Sequence, residues 1–150
     1  MPQSFCQIYV HLIFSTKYRM RHLDDTIRNR VHGYLANTIR EMGSAFTVIG
    51  GTDDHVHALF DLGKQQTPPD FPLQIKKESS KFIKELGTPY DGFAWQRGYG
   101  MFSVGPTNTE AVEAYIRNQH EHHRNMSFQE EFRAFLDRYG IDYDEQYVWD

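Results

Sequence analysis

Residues 45–62 read AFTVIGGTDDHVHALFDL. The run 45–50 (AFTVIG) is rich in β-branched and aromatic side chains, and Gly51, Thr52 and Asp53 make a tight connection. Residues 55–62 form a second run of the same kind, so the stretch predicts an antiparallel hairpin. Side chains alternate along a strand, which puts His55 and His57 on one face and Val56, Ala58 and Phe60 on the other. The second strand therefore has an apolar side and a side bearing two imidazoles.

Working outward from the hairpin, residues 4–14 predict a first strand. A helix follows with Asp24 or Asp25 as its N-cap, because Ile27, Val31, Leu35, Ile39 and Met42 recur on one face before Gly43 ends it. On the other side, Pro72 fits the first turn of a helix that runs to Leu86, with Ile75, Phe82, Ile83 and Leu86 inward and Lys76, Lys77, Lys81 and Lys84 outward. Residues 93–104 (FAWQRGYGMFSV) read as extended chain with a turn or bulge near Gly98 and Gly100. Thr107 to Glu110 has the form of a capping box opening a helix over 108–124, and Ser127 to Glu130 a second box opening another helix with Phe128, Phe132, Phe135 and Tyr139 on one side. The order strand, helix, strand, strand, helix, strand predicts an α+β, ferredoxin-like split βαβ fold, an antiparallel sheet backed by two helices with further C-terminal helices. One sheet face is then expected to be free for chemistry.

At 150 residues, with no repeat or dividing linker, the chain reads as a single domain over 1–150, with residues 127–150 forming a C-terminal helix and an acidic, aromatic tail. The tail is too aromatic for disorder and is expected to pack on the body or on a second subunit. The lone Cys6 excludes an internal disulfide and is expected in the core or a strand. The start lacks a basic leader and no apolar stretch reaches membrane-spanning length, so a cytoplasmic protein is expected. A net charge of −4 argues against coating duplex DNA by charge alone. The charge is uneven, with 7 acidic and 2 basic side chains in residues 128–150 against 13 and 14 in the rest. The basic clusters, Lys17 and Arg19 around Tyr18, and Lys76, Lys77 and Lys81, serve equally well as solvated faces or as a modest nucleic-acid contact.

The third helix carries EAYIRNQHEHH, in which Tyr115 and Gln119 are four residues apart and so project from one face. Alone, the His-x-His pair is a weak signal and Tyr115 reads as a core-edge residue. Together and in this order, DDHVHALF and the YIRNQ helix resemble the single-tyrosine HUH transposases (IS200/IS605-like), small enzymes of insertion sequences that move as single-stranded DNA. QIYVHLIFSTKYR, IKKESSKFIK and WQRGYGMFSV extend the resemblance over most of the chain.

The resemblance implies that His55, His57 and Gln119 bind a divalent metal, Mg²⁺ or Mn²⁺, and that Tyr115 is the nucleophile forming a 5′-phosphotyrosine. It also implies a homodimer acting on single-stranded DNA with hairpin-bearing ends, and leaves open whether Tyr115 serves its own subunit or the partner. Lys17, Arg19, Lys76, Lys77 and Lys81 are the expected DNA contacts. Two rival readings stand beside it. His122 or His123, each within a turn of Gln119, could replace it and give a zinc hydrolase; or the sheet could serve a non-catalytic single-strand binder.

Overall fold

A computed structural model of the chain describes residues 2–150. Four strands, β1 (Tyr9–Ser15), β2 (Thr47–Gly51), β3 (His55–Asp61) and β4 (Gly100–Val104), form one sheet in the order β2-β3-β1-β4, with every pairing antiparallel. The helices are α1 (Arg28–Glu41), α2 (Asp70–Lys84), α3 (Thr109–Arg117), α4 (Gln119–His122) and α5 (Phe128–Arg138). This is the expected α+β split βαβ arrangement. β1 is shorter than the predicted strand because both partners run out at Tyr9, which pairs with Asp61 of β3 and Val104 of β4. Cys6 lies before β1 and is exposed, so it is in neither the core nor a strand, contrary to expectation.

Alternation decides the layers. Val10, Leu12 and Phe14 of β1 and Val56, Ala58 and Phe60 of β3 form one buried cluster with Val31, Leu35 and Ile39 of α1 and Phe71, Ile75 and Ile83 of α2. Asp24 caps the approach to α1, its Oδ1 accepting from the backbone N–H of Thr26 and Ile27, and Gly43 closes the helix at a φ of 104°, in the left-handed region open to glycine.

The second face is not bare. Ile13 and Phe102 pack beneath Phe128, Phe132, Phe135 and Leu136 of α5, while Val48, Leu59 and Val104 pack beneath Ile116 of α3. The expectation of a free face thus gives way to a third layer, because the aromatic stripe of α5 gains about 1.5–3 kcal/mol per buried side chain only against a hydrophobic sheet. Two glycines let that layer approach closely. A Cβ on Gly50 would sit 2.3 Å from the Ile116 carbonyl oxygen, and one on Gly100 would sit 2.6 Å from the Phe132 ring. The tail packs back on the body: the Trp149 carbonyl accepts from Arg19 Nη1 at 2.9 Å, the Asp150 carbonyl from Gly98 N–H at 2.8 Å, and Glu145 from Arg133 at 2.5 Å.

The predicted third helix is divided. It begins after a short turn at Pro106–Asn108, without the side-chain bond of the Thr107 capping box, and breaks at Asn118. The second box is formed, with Ser127 Oγ accepting from Glu130 N–H.

Candidate active site

β3 presents His55 and His57, both with no exposed surface, to the layer made by α3, α4 and α5. His55 Nδ1 lies 2.6 Å from Asp54 Oδ1 and 3.1 Å from Thr52 Oγ1, so its proton on that nitrogen is taken by a carboxylate and Nε2 is turned inward. His57 Nδ1 lies 2.8 Å from Nε2 of His11, a buried residue of β1 on the same sheet face, which orients the second imidazole as Asp54 orients the first. Burial draws His57 down to about 4, against the opposing hydrogen bond and charge of Glu131.

The break at Asn118 turns Gln119 into the interior. Its Nε2 donates to the Tyr115 carbonyl at 3.4 Å and to Glu131 Oε2 at 3.3 Å, which leaves Oε1 facing His55 Nε2 at 2.9 Å. His55 Nε2 and Gln119 Oε1 are both atoms that can ligate a metal, and they are aimed at one place.

Tyr115, one turn before Gln119, reaches the same place. Its hydroxyl donates to Glu131 Oε2 and lies 3.1 Å from His122 Nε2. Burial, together with the negative charge of Glu131, raises the phenol above its usual value. All four residues expected at the site, His55, His57, Tyr115 and Gln119, therefore meet within one chain.

Three further residues belong to it. Glu131 of α5 is 1% exposed and accepts at Oε1 from His57 Nε2 at 2.8 Å. Burial alone would raise its carboxyl, but the close approach of His123, the hydrogen bond from His57 and the surrounding imidazole charge outweigh that and hold it well below the usual carboxylate range. His123 Nε2 is 3.1 Å from Glu131 Oε2 yet has no well-aligned hydrogen-bond partner. His11 completes the set. Ligand atoms of His55, His57, His123 and Glu131 all lie within 4.8 Å of one another, a donor set that could hold a metal ion. Glu131 was detectable in principle: residues 128, 131, 132 and 135 share one helical face, so a carboxylate interrupts an otherwise aromatic stripe. His11 was detectable only with the strand register in hand.

The basic residues expected at DNA divide into two kinds. Lys76 Nζ donates to the carbonyls of Gln96, Arg97 and Gly98 at 3.0, 3.1 and 2.6 Å, so its three N–H groups are spent within the chain and burial lowers it to about 8. Arg19 donates to the Trp149 carbonyl. Lys77 and Lys81 are exposed on α2, and Lys17 lies over the exposed Tyr18 ring. Two clefts open beside the site: one of about 340 Å³ between α3 and α5, with Tyr115, Glu131 and Arg138, and one of about 390 Å³ beside His123, with Arg21, Arg28 and Arg124.

The family described as "Transposase IS200 like" matches residues 4–119. The chain belongs to that family. Among solved structures, a transposase candidate from Deinococcus radiodurans R1 is 25% identical with a TM-score of 0.61, covering 79% of this chain and 98% of its own. A REP-associated tyrosine transposase bound to a REP hairpin is 13% identical with a TM-score of 0.53, covering 77% of this chain and 67% of its own, and shares the fold. No curated protein sequence matches the chain. The family segment ends at Gln119, so His122, His123 and Glu131 reach the site from beyond it. Among the described residues, no helix of this transposase is long and apolar enough to cross a membrane.

Proposed function

We propose that the chain nicks and rejoins single-stranded DNA through a 5′-phosphotyrosine on Tyr115. The observation that carries this reading is the convergence of the Tyr115 hydroxyl, the Gln119 amide and the His55 and His57 imidazoles within one buried cluster.

His55, His57 and Gln119 are the residues that would hold a divalent ion, and the convergence of His55 Nε2 and Gln119 Oε1, both potential metal donors, fits one. Such an ion, Mg²⁺ or Mn²⁺, supplies Lewis-acid polarisation of the phosphoryl oxygen, and imidazole donors favour Mn²⁺ over Mg²⁺. Asp54 and His11 keep the two rings in place. The Tyr115 oxygen attacks phosphorus, its proton passes to the surrounding acceptors, and the bond to the 3′ oxygen breaks. A phenol is the useful nucleophile here because the phosphodiester bond energy is kept in the tyrosine ester, so a later 3′-hydroxyl reverses the step on a different end.

The meeting of Tyr115 with His55, His57 and Gln119 inside one chain supports a reading in which each subunit of a homodimer uses its own Tyr115. Hairpin-bearing single strands are the proposed substrate, with Lys17 and Tyr18 and the exposed Lys77 and Lys81 as proposed contacts to the strand. The protein is expected in the cytoplasm.

The test is incubation of the full chain with labelled hairpin-bearing oligonucleotides and Mn²⁺, followed by denaturing electrophoresis. A covalent adduct is expected, absent in Tyr115→Phe. The cluster of His55, His57, His123 and Glu131 gives a zinc hydrolase a physical basis as second reading, and that enzyme would cut without an adduct.

A further inference from the structure

Glu131 is a buried carboxylate without a fixed cation. Among the described residues, no lysine or arginine pairs with it; the groups around it are imidazoles, a phenol and an amide. Removing a carboxylate from water costs several kcal/mol, and here the groups that offset it are themselves metal-ligating or proton-bearing side chains gathered at one place. Its two oxygens also face different ways. Oε1 lies 2.8 Å from His57 Nε2 and 3.6 Å from His55 Nε2, the nitrogens assigned to the ion. Oε2 faces the Tyr115 hydroxyl, with His122 at 3.3 Å and His123 at 3.1 Å.

We propose that Glu131 is a bridging carboxylate of this centre: Oε1 joins His55 and His57 as a donor to the divalent ion while Oε2 holds the Tyr115 hydroxyl in register with it. The role given to Tyr115 rests on the strand-transfer reading above; the ligand role does not. The carboxylate is aimed by α5, whose Phe128, Phe132 and Phe135 lock the helix onto the sheet on either side of it. It lies twelve residues past the end of the family segment at Gln119. A carboxylate suits Mg²⁺ and Mn²⁺ while imidazoles suit the transition metals, so Mn²⁺ is the ion that both kinds of donor accommodate.

The test uses the full, metal-free chain titrated with Mn²⁺, free ion being read by electron paramagnetic resonance. Glu131→Gln keeps the shape and removes the charge; it is expected to weaken Mn²⁺ binding at least about 10-fold, whereas Tyr115→Phe stays within about threefold. At Mn²⁺ concentrations that refill the site, Glu131→Gln is expected to form adduct still at least about 10-fold slower, because the phenol has lost its anchor. Full recovery of the rate would overturn the bridge. Should Glu131→Gln fail to fold, wild-type protein carrying ¹³C-carboxyl glutamate gives the same answer: bound Mn²⁺ is expected to show ¹³C hyperfine coupling. No coupling overturns the ligand role. Coupling without any DNA adduct in the wild type would instead sink the strand-transfer reading and leave the carboxylate ligand standing.

Discussion

The two faces of the sheet come from the same strands and end as opposites. One residue along β3 separates Val56, at 1% exposure in an aliphatic cluster, from His57, at 0% in a polar one. Under α1 and α2 the packing is apolar and its value is stability. Under α3 to α5 the sheet buries His11, His55 and His57 around Glu131, where desolvation works against each group and mutual bonding offsets it. Burial by itself thus says nothing of role: equally hidden positions hold an aliphatic core on one face and a cluster of polar, metal-ligating side chains on the other.

The largest expected effects test that division directly. Phe14→Ala on the apolar face should cost about 3–5 kcal/mol, read by denaturant unfolding, with Mn²⁺ affinity of the folded fraction unchanged. His57→Ala on the other face should lower Mn²⁺ affinity and adduct yield at least about 100-fold, since even residues behind a ligand are worth 10–100-fold, while destabilising the metal-free protein less than Phe14→Ala does. Equal loss of metal binding in both variants would erase the distinction.

Gly50 joins the faces. It pairs with His57, and the close approach of the Ile116 carbonyl sets the height of α3 above the histidines. Gly50→Ala should push α3 outward, cost about 1–3 kcal/mol and reduce adduct formation at least about 10-fold by displacing Tyr115 and Gln119 together. An unchanged adduct yield would show that the helix need not be where the glycine places it.

How much of this was readable beforehand follows the same division. The hairpin, α1 and the pairing of His55 with His57 were legible because period-two and period-3.6 patterns are local, and Tyr115 with Gln119 because a one-turn spacing survives the break at Asn118. Glu131 was not singled out, since a Glu in the first turn of a capped helix is the ordinary surface choice and its place on the aromatic stripe has meaning only once α5 lies on the sheet. His11 needed the register of β1 against β3, which no local pattern encodes. The third layer was missed because covering a sheet face is a long-range event, driven by Phe128, Phe132 and Phe135 finding Ile13 and Phe102.

Acid should separate the faces more gently. Burial holds His57 and His32 down to about 4, from 6.5, and His11 also lies below its ordinary value. A depressed folded-state value means that the unfolded chain takes up the proton first, so these contributions are present above about pH 6.5 and are lost as pH falls through that window. His123 runs the other way: burial lowers it, but the Glu131 bond and charge raise it overall, so its contribution is lost as pH rises. With three groups against one, the metal-free melting temperature should drop by roughly 5 °C or more between pH 7 and pH 4.5. A flat profile would mean that these imidazoles take up protons in the folded protein just as they do in the unfolded chain.

The smallest effect asks whether the apolar-face layer is inert on its outside as well. α2 seals that core with Phe71, Ile75 and Ile83, yet it presents Lys77 and Lys81 to solvent while Lys76 is consumed by the carbonyls of residues 96–98. If a bound strand follows the exposed pair, Lys77→Ala and Lys81→Ala should each lower the slope of log affinity against log salt by about 0.7 for single-stranded DNA, with adduct chemistry unchanged at saturating strand. Lys76→Met should leave that slope alone and instead loosen the 96–98 segment, seen as faster amide exchange there, because its ammonium works on backbone carbonyls. A slope unmoved by either exposed lysine would confine the DNA to the histidine side, making the two faces as different in what they touch as in what they bury.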